Sequence, residues 1–286
     1  MTEDVRGAQD LARAAEVIAA RGGTLGSPLV IAAETGSTND DAKAGAREGA
    51  VHGAVWLAES QRAGRGRQGR AWLSAPGENL LFTVLLRVRC IPARVPPISL
   101  VAGLAVRDAV ARALGREADG DVVVKWPNDV MVRGPGGALR KIAGVLVESA
   151  LAGAKVEYVV VGIGINVHAR VLPADVAAIA TSIAIERDAR AALPATGRAE
   201  ILADVLGGLE RDVELVAHKG LGLVHARLRR HDALRGSAVE SVGDGGRGGE
   251  LHGVAEGIDL DGRLLVRRED GSLVHVSSGE MRLRRA

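Results

Sequence analysis

Aromatic residues are nearly missing from this chain. Three Trp, one Tyr and one Phe are spread over 286 residues, and all fall between Trp56 and Tyr158. A core without rings must be built from Ala, Val, Leu and Ile, so the region holding the few rings is worth following. Cysteine is scarcer still. Cys90 stands alone, which excludes an internal disulfide and suits a reducing compartment. No apolar run reaches the roughly 18 residues of a spanning helix, and the opening MTEDVRGAQD is acidic rather than an apolar leader, so a cytoplasmic protein without membrane contact is expected. Neither sign of charge is in excess: 37 Lys and Arg face 35 Asp and Glu, a net +2. Global polyanion binding is thereby excluded, and any basic site must be local. The histidines lack metal-ligand spacing, and there is neither H-E-x-x-H nor G-x-S-x-G.

What is present is a globular composition, 47% apolar and 25% charged, enriched in glycine at 38 residues. The length allows one large domain and a small appendage. Residues 4–20 carry Leu11, Ala14, Ala15 and Ile18 on one helical face before Gly22-Gly23. Residues 29–34 read as a strand. Ser37 and Thr38 then make an N-cap, with Asp40 and Asp41 in the first turn and free backbone N–H groups expected near Ser37–Asn39. Strands are expected at 54–58 and 80–87, separated by the loop 61–70. An Ala-rich helix follows at 98–114, with 92–97 as a proline-bearing link. Residues 121–133 read as two strands broken by Pro127, and 141–150 with 155–167 as an antiparallel hairpin. The piece 171–197 has no clear pattern. Residues 198–217 form an amphipathic helix, with Ile201, Val205, Leu209 and Val213 on one stripe. From about residue 235 short alternating strands are separated by GDGGRGG, DLDG and REDG, a small all-β unit.

Several segments carry chemistry. GRGRQGR puts Arg65, Arg67 and Arg70 among glycines, so the backbone can approach a ligand while guanidinium forks meet phosphate or carboxylate. A solvated basic loop has the same composition, and RNA-binding RG segments share it, although those are longer and repetitive. A P-loop is excluded because Arg70-Ala71 stand where Lys-Ser/Thr is required. In KWPND, Asn128 and Asp129 either cap their own turn or face a site. Lys141 opens an apolar strand, where it either meets an anion or snorkels to water. GIGIN, lacking a third glycine and a following helix, is no dinucleotide fingerprint. Its glycines mark close approach by a ligand or a neighbour. Cations, glycines and amides without a covalent nucleophile suit phosphoryl or nucleotidyl transfer.

Together GSTN (36–39), ESQRAGRGRQGRAW (59–72), KWPND (125–129), KIAGVLVE (141–148) and VGIGIN (161–166) resemble the biotin protein ligases in order and approximate spacing, over roughly residues 30–286. The resemblance implies an α+β fold: a mixed sheet flanked by helices, like that of class II aminoacyl-tRNA synthetases, then a small C-terminal SH3-like β-barrel. It divides the chain into a helical segment 1–29, a catalytic domain 30–232 and a C-terminal domain 233–286. It implies an ATP-dependent enzyme that forms biotinyl-5′-AMP and passes biotin to a lysine of a biotin carboxyl carrier protein. The ligands would be ATP, biotin and Mg2+. By the same resemblance Ser37, Thr38 and Asn39 bind the ureido group with Gln61 nearby. Arg65, Gly66 and Arg67 belong to the closing loop. Lys141 contacts carboxylate and α-phosphate. Trp72, Asn128 and Asn166 join Arg67 on the adenylate side. Lys141, Arg67 and Asp129 are the catalytic candidates.

Many bacterial members carry an N-terminal winged helix-turn-helix. Here 35 residues precede GSTN, so DNA binding is not expected, and a monomer or homodimer is. Gln68 stands where an arginine is frequent, and the turn RGPGGALR before Lys141 is longer than usual. The rivals are a lipoate or octanoate ligase of the same superfamily and a non-catalytic RNA- or carrier-binding module.

Overall fold

The computed structural model describes residues 10–116, 120–188, 197–242 and 251–284. Helix α1 (Ala14–Arg21) leads into β1 (Leu29–Thr35), α2 (Thr38–Arg47), β2 (Val55–Gln61), β3 (Asn79–Leu86) and α3 (Val95–Ala113). Next come β4 (Val122–Lys125), β5 (Asp129–Arg133), β6 (Leu139–Ala152) and β7 (Lys155–Asn166). Three helices follow: α4 (Ile183–Asp188), α5 (Arg198–Lys219) and α6 (His225–Arg230). The strands form one seven-stranded sheet in the order β1-β2-β3-β7-β6-β5-β4. Among these seven strands β1 and β2 pair in parallel and the others pair antiparallel.

The two faces of β7 show how the sheet is used. Val159, Val161, Ile163 and Ile165 point into the main core with α3 and α5, the latter packing on α1. Tyr158 and Val160 point the other way and meet Ala42 and Ala46 of α2. Along that second face the next residues are Gly162 and Gly164, so the large side chains stop and an open floor begins. The main core takes in Phe82 and Trp126 and otherwise fills with aliphatic side chains, because small residues let helices approach: a Cβ on Gly208 of α5 would stand 2.7 Å from Ala105 Cβ of α3.

Several boundaries differ from the sequence expectation. Helix α3 starts at Val95, taking Pro96 and Pro97 into its first turn, where a missing N–H costs nothing. Strand β2 runs to Gln61, so that residue ends a strand rather than opening a loop. The Thr38 N–H is not free: Gln61 Oε1 accepts it at 2.8 Å. The long turn before Lys141 closes as a short helical turn, Gly134 N–H donating to Ala138 O at 2.8 Å. The first residues of the 4–20 helix and the GDGGRGG turn at 243–249 lie outside the described residues.

Strands β8 (Ala238–Ser241), β9 (His252–Ile258), β10 (Leu264–Arg267), β11 (Leu273–Val276) and β12 (Met281–Leu283) form a second, fully antiparallel sheet in the order β11-β10-β9-β8-β12. It is tied to the first sheet. Trp126, 2% exposed, donates its indole N–H to Gly262 O at 3.0 Å. The segment around Asp232 bonds β4 through Val124 N–H to His231 O at 2.8 Å and Ala233 N–H to Val124 O at 2.9 Å. No helix of the described residues is long and apolar enough to cross a membrane.

Asp232 carries a testable cost. One carboxylate oxygen accepts from Leu234 N–H at 3.0 Å, while Oδ2 has no partner among the described residues. Burial pushes this carboxyl up to about 6 from its ordinary 3.8. The folded form then holds its proton more tightly than the unfolded form, so stability falls as pH rises between those values, by on the order of 3 kcal/mol. Asp232→Asn, which keeps the Leu234 bond and removes the charge, is expected to raise the melting midpoint by several degrees at pH 8. The gap should close below about pH 4. Thermal melts at both pH values check this; a gap that widens toward acid would contradict it.

Candidate functional site

The open floor is the base of a cavity of about 900 Å³, and every motif residue singled out above lines it: Ser37, Thr38, Asn39, Gln61, Arg65, Gly66, Arg67, Trp72, Asn128, Asp129, Lys141 and Asn166. Segments far apart in sequence meet because β2, β3, β7, β6 and β5 are neighbours in the sheet and α2 starts beside them.

A β-bulge aims the lysine. Val130 pairs with Ala143 but Met131 with Lys141, so Ile142 is an extra residue on β6. Without it Lys141 and Gly144 would face opposite sides of the sheet. With it they share the pocket face, and a Cβ on Gly144 would stand 3.1 Å from Lys141 Nζ. Lys141 Nζ lies 2.7 Å from Asp129 Oδ1, close but off the line of a hydrogen bond, and 5.4 Å from the centroid of the Trp72 ring. Its backbone is fixed from the far side, by Lys141 N–H to Ile179 O at 2.7 Å and Thr181 N–H to Lys141 O at 2.8 Å.

The glycine- and arginine-rich loop folds back on itself, Gly66 N–H to Arg70 O at 2.7 Å and Trp72 N–H to Gly64 O at 2.9 Å. Gln68 takes a left-handed conformation at its tip, φ 57°. The loop lowers Trp72 onto the floor, where its ring leaves no room for a Cβ at Gly164: the nearest ring atom would be 2.5 Å away. The Trp72 indole N–H is buried without a partner among the described residues. Arg67 is half-buried, and burial pushes its guanidinium below the ordinary value; Asn128 Oδ1 receives a long bond from it at 3.4 Å. Arg70 at the loop's base pairs with Glu280, just before β12.

At the other end the charged groups are already paired and the groups left to face the cavity are neutral. Ser37 caps α2 by position but makes no capping bond, so its hydroxyl is available to the cavity. Gln61 Oε1 accepts the Thr38 N–H at 2.8 Å, which leaves the Gln61 amide N–H groups for other partners. Asn39 is 3% exposed and fully engaged: Nδ2 donates to Glu148 Oε2 at 2.7 Å and Oδ1 accepts from Thr83 at 2.6 Å. A Cβ on Gly162 would stand 2.0 Å from Asn39 Oδ1. Arg65 is likewise committed, both arms of its fork on Asp40 at 2.7 Å. Asn128 and Asn166 hold walls together through Val145 O at 2.8 Å and Thr181 O at 2.9 Å. Asn39 over Gly162 and Trp72 over Gly164 are two residues apart along β7, about 7 Å. A neutral hydrogen-bonding end and a cationic end therefore sit on one short floor.

Residues 35–166 match the Biotin/lipoate A/B protein ligase family, and residues 242–284 match the Biotin protein ligase C terminal domain. The chain is 36% identical over 255 residues to a biotin–[acetyl-CoA-carboxylase] ligase of Mycobacterium tuberculosis, covering 88% of each. The chain belongs to the biotin protein ligase family. It is 32% identical to the bifunctional ligase/repressor BirA of Escherichia coli, over 82% of this chain and 67% of that protein. The fold is similar to that of the Aquifex aeolicus biotin protein ligase in complex with biotin and ATP, with a TM-score of 0.72 at 28% identity, covering 91% of this chain and 100% of the other.

Within this family member the sequence reading missed the second layer. Sequence position makes Asp40 a charge for the helix dipole; in the fold it also clamps Arg65. Glu148 stood inside KIAGVLVE without a role, although an acid in an apolar strand was a visible signal. Of the tryptophans, Trp72 and Trp126 line the cavity, whereas Trp56 packs between β2 and α2, against Gly45 and the cluster around Ala42 and Ala46.

Proposed function

We propose that this chain is a biotin protein ligase that joins biotin to ATP as biotinyl-5′-AMP and then passes biotin to one lysine of a biotin carboxyl carrier protein. The observation that carries the reading is the pairing of a neutral hydrogen-bonding end with a cationic end across a glycine floor. That polarity suits a neutral ureido ring whose tail ends in a carboxylate that must meet a phosphate. In the first step a carboxylate oxygen attacks the α-phosphorus and pyrophosphate leaves. Lys141 and Arg67 offset the repulsion between the two anions. In the second, a neutral lysine amine attacks the acyl carbon of the anhydride and AMP leaves. Asp129, partnered with Lys141 before substrates arrive, would hold the acceptor's ammonium once Lys141 turns to the anions, and the proton leaves to water before the amine attacks. The orphan Trp72 N–H gains an acceptor from the ligand, worth about 1–3 kcal/mol at a buried donor. The loop over the floor keeps water from the anhydride.

Magnesium enters as part of the MgATP substrate. Among the described residues no cluster of three or more His, Cys, Asp or Glu side chains would cage it. ATP–pyrophosphate exchange is expected with biotin and not with lipoate or octanoate. A purified carrier domain should then gain the mass of one biotinyl group. Exchange with lipoate alone would overturn the reading.

A further inference from the structure

We infer that Glu148 is a positioning residue for the neutral end of the pocket, fixing Asn39 directly and the Arg65 arm of the loop through Lys43 and Asp40. The inference rests on the ligase reading above. Glu148 lies on β6 in step with Gly144 and therefore on the pocket face. Its Oε2 accepts from Asn39 Nδ2 at 2.7 Å, and its Oε1 lies 2.9 Å from Lys43 Nζ. Lys43 also holds Asp40 at 2.9 Å, and Asp40 grips both arms of Arg65. Arg65 comes within 3.9 Å of Glu148 itself, closing the circuit.

The chemistry of a carboxylate makes this directional. An ionised carboxylate only accepts, so it selects the NH2 side of the Asn39 amide and turns Oδ1 toward Thr83 and Gly162. Thr83 donates to that oxygen at 2.6 Å and stands 2.9 Å from Thr38 Oγ1. Thr38 in turn gives its N–H to Gln61 Oε1 at 2.8 Å. Gln61 must therefore show its amide N–H groups, not its carbonyl, to a ligand. The acid thus fixes Asn39 and through it the Thr83 hydroxyl, while the Thr38 backbone N–H, a donor in any case, fixes Gln61 beside them. The charges agree: although burial pushes the Glu148 carboxyl up, the Asn39 amide and the Lys43 ammonium hold it below its ordinary range. The Arg65 fork holds Asp40 far below its own.

The test is steady-state exchange on Glu148→Ala, Glu148→Gln, Asn39→Ala and the double variant Glu148→Ala/Asn39→Ala. Glu148→Ala is expected to raise the KM for biotin about tenfold while the KM for ATP stays within about twofold. Glu148→Gln, isosteric and still able to accept from Asn39, should raise it about threefold, and it carries the test if the alanine variant does not fold. The double variant should cost less than the two single effects combined, because both act in part through one amide. An unchanged biotin KM, or effects that simply add, would overturn the assignment. A parent enzyme without biotin-dependent exchange would overturn the ligase reading and this assignment with it.

Discussion

Lys141→Ala is expected to lower biotin-dependent ATP–pyrophosphate exchange by about a thousandfold, with folding intact. Removing one preorganised electrostatic partner of a developing charge typically costs 10²–10³ in rate, and Lys141 would face two anions at once. The lysine side chain is one-third exposed at 33%, so truncation leaves no buried void. It does leave the Asp129 carboxylate without its partner beside the site, adding like-charge repulsion toward substrate. The loss should therefore fall on kcat and on the KM for biotin together. A melting curve matching the parent, with exchange near normal, would refute the role. Asp129→Asn separates the steps. It frees Lys141, so adenylate formation should survive, while single-turnover transfer to the carrier lysine slows if Asp129 orients the incoming amine.

Lys141 also shows where sequence reading stops. That a lysine opened an apolar strand was visible; the bulge at Ile142 that turns it to the pocket face was not, because a register shift belongs to the pairing of two strands. The strands themselves were legible from apolar runs and turn residues. Their order was not: nothing local places β7 between β3 and β6, and that placement brings Asn39, Trp72 and Lys141 onto one floor. The six-residue helices α4 and α6 left no periodic signature, being too short for two full turns. The individual motif residues were legible by resemblance, but how they share the work was not. Asn39, Arg65, Asn128 and Asn166 carry the right chemistry for binding, yet each spends at least one donor on a protein partner. Only the folded chain distinguishes a group that faces ligand from one that holds its neighbour in place.

The two floor glycines should fail in opposite ways when given the same methyl group. At Gly162 the new Cβ meets Asn39 Oδ1 at 2.0 Å, with Asn39 Cγ at 2.9 Å behind it. Asn39 is buried, and Thr83 and Glu148 hold its two ends, so it has nowhere to go. Gly162→Ala is therefore expected to cost about 3 kcal/mol or more and to lower the melting midpoint by roughly 6–12 °C, as overpacking in a rigid core does. At Gly164 the Cβ meets the Trp72 ring, 2.5 Å from its nearest atom. That ring is carried by a surface loop and its indole N–H bonds nothing among the described residues, so it can lift away cheaply. Gly164→Ala should then leave the midpoint within about 2 °C while weakening ligand binding by about a hundredfold, because the displaced indole and the added methyl both occupy space the ligand needs. Calorimetric titration with biotin beside thermal melts separates the two outcomes. Equal losses of stability in both variants would mean that Trp72 is as rigidly packed as Asn39, and that the floor is a core rather than a binding surface.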